Sequence, residues 1–113
     1  MSNPLTTHVL DTASGRPAAG LPISLERAVD GGFERIGSGT TNEDGRLESP
    51  LVTDGWRAGV YRIRFDTGAY FAAHGTPGFY PYVEVVFEVT QPDEHHHVPL
   101  LLSPYGYSTY RGS

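Results

Sequence analysis

Short runs of alternating apolar and polar residues dominate this sequence and limit the folds that the chain can adopt. Leu21, Ile23 and Leu25 occupy every second position of one run, and residues 61–65 repeat the pattern with arginines between their apolar residues. A period of two places the apolar side chains on one face of a β-strand. Turn sequences such as Asp30-Gly31-Gly32 separate these runs. The spacing is typical of an all-β sandwich.

The pattern predicts seven or eight strands and one short helix. The helix is expected from about Thr67 to His74, because Asp66 or Thr67 can cap its first turn and Gly75 suits the position after its end. Strands are predicted at residues 6–12, 21–26, 33–41, 61–65, 83–89, 96–102 and 105–113, with a short edge segment within residues 50–55.

Composition narrows the class of protein. The chain has 113 residues, enough for one domain, which we place at residues 1–113. A net charge of −5 argues against binding to nucleic acids and to anionic membranes. The lack of cysteine excludes disulfides and fits a reducing compartment. No apolar run approaches the roughly 20 residues of a membrane span, and no signal-peptide pattern is visible, so a cytoplasmic location is expected.

One predicted strand, residues 96–102, is apolar on both faces. Val98 and Leu100 share one face, whereas Pro99 and Leu101 alternate onto the opposite face. A strand in a two-sheet sandwich needs to bury only one face within its own subunit. The pattern therefore predicts that another copy of the chain covers the second face, and we expect an oligomer.

Three of the five histidines are consecutive and offer a first candidate site. In a strand, His95 and His97 lie on one face and His96 on the other. A histidine pair with this spacing, completed by His8 from another strand, would suit zinc. No aspartate or glutamate spacing completes a familiar metal motif, so a site without a metal is the favoured interpretation.

Two histidines and an arginine in one cleft can also hydrolyse an activated carbonyl without a metal. Neutral imidazole is a good general base for water near pH 7, and arginine can stabilise the oxyanion that forms on the carbonyl. The candidates are His8, Arg46 and His97, although each could equally be a structural or exposed residue. A serine hydrolase is disfavoured because the sequence contains no Gly-x-Ser-x-Gly elbow.

Several stretches of the sequence resemble the transthyretin family. Residues 8–18, which read His-Val-Leu-Asp and then Gly-Arg-Pro-Ala, are similar to the opening motif of that family. Residues 97–108 look like its second motif. The terminal Tyr-Arg-Gly-Ser, residues 110–113, is similar to the mark of the enzymatic branch, the 5-hydroxyisourate hydrolases. The resemblance spans essentially the whole chain.

The resemblance implies a transthyretin-like sandwich of two four-stranded sheets with one short helix. It implies a homotetramer, built as a dimer of dimers, with active sites where the dimers meet. The implied reaction is hydrolysis of 5-hydroxyisourate to 2-oxo-4-hydroxy-4-carboxy-5-ureidoimidazoline in urate degradation, with no cofactor and no metal. The family's catalytic residues fall on His8, Arg46 and His97, and its substrate-binding terminus falls on Tyr110, Arg111, Gly112 and Ser113.

Two questions stay open at the level of sequence. The family commonly has tyrosine before its second catalytic histidine, whereas this chain has His96, and no role follows for His74 or His95. The same fold also serves transthyretin itself, a hormone carrier. A small-ligand binding protein without catalysis is therefore the alternative function, and a structural β-sandwich module is a further one.

Overall fold

The chain folds into two β-sheets and one short helix. The computed structural model describes residues 3–113. In chain order, the elements are β1 (Leu5–Asp11), β2 (Arg16–Pro17), β3 (Pro22–Val29), β4 (Gly32–Thr40), β5 (Gly59–Phe65), α1 (Thr67–Ala73), β6 (Val83–Val89), β7 (His96–Ser103) and β8 (Gly106–Thr109).

Each sheet has four strands, in the orders β2-β1-β7-β8 and β4-β3-β5-β6. The strands β1 and β7 run parallel, and every other pairing is antiparallel. Apolar side chains from both sheets meet in one core, which includes the fully buried Val9, Tyr61, Phe65 and Leu100. The sandwich predicted from period-two alternation is therefore confirmed, and so are the two four-stranded sheets that the family resemblance implies.

The outer faces of the two sheets differ in character. On the second sheet, Arg62 pairs with Glu26 at 2.6 Å, and Arg64 lies 3.7 Å from Glu84. Cross-strand ion pairs of this kind are typical of a face that meets water. The outer face of the first sheet carries half-buried leucines instead, with Leu10 opposite Leu101 across β1 and β7.

The helix ends at Ala73, one residue before the predicted end at His74, and Gly75 follows the end as predicted. Gly75 has a φ of +65°, which favours glycine, and its amide donates to the carbonyl of Ala72. The amide of Thr76 donates to the carbonyl of Phe71. These two bonds form a Schellman end, which leaves His74 as the last half-helical residue. Asp66 occupies the N-cap position but makes no side-chain capping bond.

The predicted strand at residues 105–113 is wrong in its second half, because β8 stops at Thr109. The next ladder position faces Pro99, which has no N–H to donate. The hydroxyl of Thr109 also donates to the carbonyl oxygen of Pro99, at 2.8 Å. Pairing resumes in the same register at a single bridge, where the amide of Gly112 donates to the carbonyl of His97.

The predicted edge segment at residues 50–55 is also not a strand. Leu51 and Val52 are buried and belong to the core. The carbonyl of Leu51 lies where a Cβ at Gly37 would stand, so the loop packs directly onto β4. One short strand was not among those predicted, because β2 follows Gly15 and pairs with the end of β1.

Tyr70 joins the helix to the first sheet through a buried hydrogen bond. Its hydroxyl donates to Oδ2 of Asp11 at 2.8 Å, and Oδ1 of Asp11 accepts the amides of Ala13 and Ser14. Burial, first of all, and then the bond to Asp11 raise the pKa of Tyr70 to about 12. The folded-state pKa lies above the unfolded value of about 10, so this stabilisation is complete below pH 10 and is lost as the pH rises through 12.

Replacing Tyr70 with phenylalanine is expected to lower the free energy of unfolding at pH 7 by about 1–3 kcal/mol, because a buried carboxylate loses a donor. Urea denaturation followed by fluorescence measures the change. Tyr105→Phe is the matched control, since Tyr105 is 70% exposed, and it should shift stability by less than about 0.5 kcal/mol. Equal stability of the two variants would contradict the structural role of Tyr70.

Within residues 3–113, no helix has the length and apolar character needed to cross a membrane.

Candidate active site

The pairing of β1 with β7 places two histidines on the outer face of the first sheet. The parallel register sets Thr6 opposite His97 and His8 opposite Pro99. Because side chains alternate along a strand, residues 6 and 8 of β1 point to the same side as residue 97 of β7. His8 and His97, 89 positions apart in the sequence, therefore share one face of the sheet.

A tight turn after β4 brings Arg46 to the same face. Gly45 adopts a φ of +75°, and its carbonyl accepts the amide of Val9 at 2.9 Å. A Cβ at Gly45 would collide with the carbonyl oxygen of Val9 and lie 3.3 Å from the ring of His8. Oδ1 of Asn42 fixes the turn by accepting the amide of Arg46 at 3.1 Å. The turn therefore lies directly on β1 beside His8.

The charges and rings around His97 act on its pKa. Its pKa is lowered from the ordinary histidine value, mainly by burial and next by the positive charge of Arg46. His95 and His8 lower the pKa further by smaller amounts. A lowered pKa keeps imidazole neutral at pH 7, and only neutral imidazole can accept a proton.

The ring of His97 is held in place from one side. Its Nδ1 lies 2.8 Å from Oγ1 of Thr6, which leaves Nε2 as the nitrogen available for chemistry. Thr6 and Arg46 also line a cavity of about 70 Å³, enough space for water beside them. Sequence reasoning missed Thr6, although period-two alternation on β1 already places residue 6 on the face of His8.

The chain terminus returns to His97. The amide of Gly112 donates to the carbonyl of His97 at 2.8 Å. A Cβ at Gly112 would stand 2.5 Å from Cδ2 of the His97 ring. Real Cβ atoms essentially never come this close to another heavy atom, so only glycine fits against the ring in this arrangement.

The other predicted terminal residues lie around the open edge of the sandwich. Tyr110 and Arg111 line a cavity of about 270 Å³ together with His97 and β6 residues. Arg111 forms an exposed ion pair with Glu94 at 3.2 Å, and Ser113 is exposed. The structure therefore brings Gly112 onto His97, whereas it directs Tyr110 and Arg111 towards this edge cavity.

His96 and His74 lie outside the group, whereas the ring of His95 lies 6.4 Å from the ring of His97. His96 is only 5% exposed and faces the core, where its ring packs edge-on against Trp56 and its Nδ1 lies 2.9 Å from the carbonyl oxygen of Glu94. His74 lies at the end of α1. Within the described part of the chain, no three or more histidine, aspartate or glutamate side chains are placed so that they could hold a metal ion.

Comparison with known proteins gives a consistent result. The model of the HIUase/Transthyretin family matches residues 5–112. A 5-hydroxyisourate hydrolase of Halalkalibacterium halodurans is 50% identical over 119 aligned residues, which cover 100% of both chains.

Two solved structures share the fold. The 5-hydroxyisourate hydrolase of Klebsiella pneumoniae superimposes with a TM-score of 0.84 at 37% identity, over 96% of this chain and 92% of that one. Sea bream transthyretin in complex with thyroxine superimposes with a TM-score of 0.89 at 36% identity, over 96% and 94%. By its family match and its full-length similarity to these proteins, the chain belongs to the HIUase/Transthyretin family.

Proposed function

We propose that this chain is an enzyme that hydrolyses 5-hydroxyisourate to 2-oxo-4-hydroxy-4-carboxy-5-ureidoimidazoline in urate degradation. The observation that supports the proposal most strongly is the meeting of His8, Arg46 and His97 on one face of the first sheet. The full-length similarity to a bacterial 5-hydroxyisourate hydrolase supports the same substrate.

The chemistry of the substrate suits these three side chains. 5-Hydroxyisourate is small and rich in carbonyl oxygens, and a guanidinium binds such groups through two parallel donors. A water oxygen attacks the ring carbonyl while its proton passes to Nε2 of His97. The carbonyl electron pair moves onto oxygen, where Arg46 stabilises the negative charge. The carbonyl then re-forms, the ring C–N bond breaks, and the leaving nitrogen takes up a proton.

The two histidines have different surroundings, and we assign them different roles. His97 is half-buried, hydrogen-bonded through Nδ1 and held neutral by its environment, all of which suit a general base. His8 packs against the turn that holds Arg46, and this position next to the arginine supports a role in orienting the attacking water.

We also propose that the terminal residues Tyr110, Arg111, Gly112 and Ser113 bind substrate, and the position of Gly112 against the His97 ring supports this. Gly112 gives this part of the proposal a sharp test. In Gly112→Ala, the new Cβ must push away either the terminus or the His97 ring. We expect kcat/KM to fall about 10- to 100-fold, because a displacement near 1 Å at a catalytic group has effects of this order. Gly75→Ala, at the helix end, is the control glycine variant, and an equal loss there would point to stability as the cause.

We also propose a homotetramer built as a dimer of dimers, in which a second dimer covers the outer face of the first sheet. Leu10 and Leu101 support it, since both lie half-buried on the face that carries the proposed site. Pro99 was predicted to lie on this face and to need cover from another copy of the chain, but it is already buried within the subunit. Light scattering should give four times the 12.3 kDa of one chain. A monomer at micromolar concentration would contradict the assembly.

The chain's lack of cysteine supports a cytoplasmic location.

The direct test of the function is a spectroscopic assay. Urate oxidase generates fresh 5-hydroxyisourate, and the decay of its ultraviolet absorbance is followed with and without the protein. We expect strong acceleration that EDTA does not change. Binding alone would not decide the question, because sea bream transthyretin has the same fold and was solved with thyroxine. Decay at the spontaneous rate would refute the proposal, and loss of the acceleration with EDTA would point to a metal-dependent reaction.

A further inference from the structure

The hydroxyl of Thr6 lies between two histidines. Its Oγ1 is 2.8 Å from Nδ1 of His97 and 2.9 Å from Nε2 of His95. The two rings have centroids 6.4 Å apart and planes inclined by 32°. A threonine hydroxyl carries one proton and accepts through its lone pairs. When both rings are neutral, one ring must therefore donate its N–H to Oγ1 while the other accepts the hydroxyl proton.

We propose that Thr6 links His97 to His95 as a proton relay during hydrolysis, with Thr6 and His95 as positioning residues that act through His97. This inference rests on the proposed function, in which His97 accepts the proton of the attacking water. In the resting enzyme, Nδ1 of His97 donates to Thr6, and Thr6 donates to Nε2 of His95. Nε2 of His97 then keeps its lone pair for the reaction.

The relay conserves every proton. When Nε2 of His97 takes the proton from water, the proton on Nδ1 moves to Oγ1 of Thr6, and the hydroxyl proton of Thr6 moves to Nε2 of His95. His97 is then neutral with its proton on Nε2, and His95 is the imidazolium. As the C–N bond breaks, Nε2 of His97 gives its proton to the leaving nitrogen. The two relay transfers reverse at the same time and restore the resting state.

The distribution of charge favours moving the proton in this way. The positive charge of Arg46 lowers the pKa of His97, so an imidazolium there meets a like charge, and His8 acts on this pKa in the same direction. His95 is exposed, which lets water stabilise its positive charge. The charged residues beside His95 are Arg111 and Glu94, which form an ion pair with each other at 3.2 Å. The relay therefore transfers the transient charge from a half-buried ring to an exposed one.

Substitution of Thr6 tests the link with little change of shape. Thr6→Val keeps the β-branched side chain and removes the hydroxyl. We expect kcat to fall about 10- to 100-fold with KM nearly unchanged, which is a modest share of what general acid–base catalysis contributes. Thr6→Ser restores the hydroxyl and should restore most of kcat. Thr40→Val, on an exposed position of β4, is the control and should behave as the unsubstituted protein.

His95 provides the second half of the test. In His95→Gln, the new side chain keeps a hydrogen-bonding group, but an amide cannot accept a proton at pH 7. We expect kcat to fall about as far as in Thr6→Val, and the double variant to fall no further, because residues that act as one unit are not additive. Full activity in His95→Gln would show that a hydrogen bond alone suffices and would overturn the relay. A loss of kcat in the double variant equal to the product of the two single-variant losses would overturn the relay as well.

The tautomer of His97 is measurable without any substrate. ¹⁵N spectra of the labelled protein at neutral pH should place the proton of His97 on Nδ1, and Thr6→Val should increase the fraction on Nε2. A proton on Nε2 in the unsubstituted protein would contradict the resting state of the relay. If the unsubstituted protein hydrolyses 5-hydroxyisourate but Thr6→Val retains full kcat, only the relay fails. If the unsubstituted protein is inactive, the proposed function fails and the relay with it.

Discussion

Replacing His97 with asparagine is expected to lower kcat for 5-hydroxyisourate by about 10²- to 10⁴-fold, the range that general acid–base catalysis supplies. Asparagine retains a polar group near the position of Nδ1, so the contact with Thr6 can persist. It has no atom in place of Nε2 that can accept a proton from water at neutral pH. The residual rate should reflect substrate binding, the charge of Arg46 and the contribution of His8.

A matched histidine variant separates catalysis from stability. His74 is exposed at the end of α1, where its Nδ1 lies 2.9 Å from the carbonyl oxygen of Tyr70 and its ring packs against the Tyr70 ring. His74→Asn should therefore keep full kcat. His97→Asn should keep the same oligomeric state and a similar denaturation midpoint. Near-normal kcat in a folded His97→Asn would remove His97 from the mechanism.

Arg46→Ala is expected to lower kcat by about 10²- to 10³-fold, which is the typical loss when one donor to a developing oxyanion is removed. A second effect follows from the charge of Arg46, which lowers the pKa of His97. Without that charge the pKa rises, so His97 becomes protonated at a higher pH. The acid limb of the rate profile should move to higher pH, although burial, the larger cause, keeps the pKa of His97 partly lowered.

Two arginine variants distinguish the charge of Arg46 from its shape. Arg46→Lys keeps a cation but loses the planar pair of donors, so it should show a reduced kcat with an acid limb close to that of the unsubstituted protein. Arg35→Ala removes an exposed arginine from β4 on the other sheet and should change neither quantity. An Arg46→Ala variant with normal kcat and an unmoved acid limb would show that Arg46 does not act at the site.

The fold could be predicted from sequence because its determinants are local. Alternation in residues 61–65 and 83–89 sets which side chains enter the core, and β5 and β6 appear there with few changes at their ends. The positive φ of Gly75 ended the helix as expected. The early end of β8 was missed because it depends on Pro99, which lies on the neighbouring strand and not in the segment itself.

The candidate site was only partly accessible to sequence reasoning. A resemblance to a known family singled out His8, Arg46 and His97, but no local pattern indicates that they meet. Their meeting depends on the parallel pairing of β1 with β7 and on the close contact of Gly45 with Val9. Thr6 was missed for the same reason, because its partner His97 lies 91 positions away.

The most direct measurement for the whole account is a crystal structure of the protein with a planar urate analogue that cannot be hydrolysed. We expect the analogue to lie on the outer face of the first sheet, with its carbonyl oxygens on Arg46 and its reacting position near Nε2 of His97. Binding instead in the groove on the other sheet, which Arg35 and Arg64 line, would contradict the proposed site.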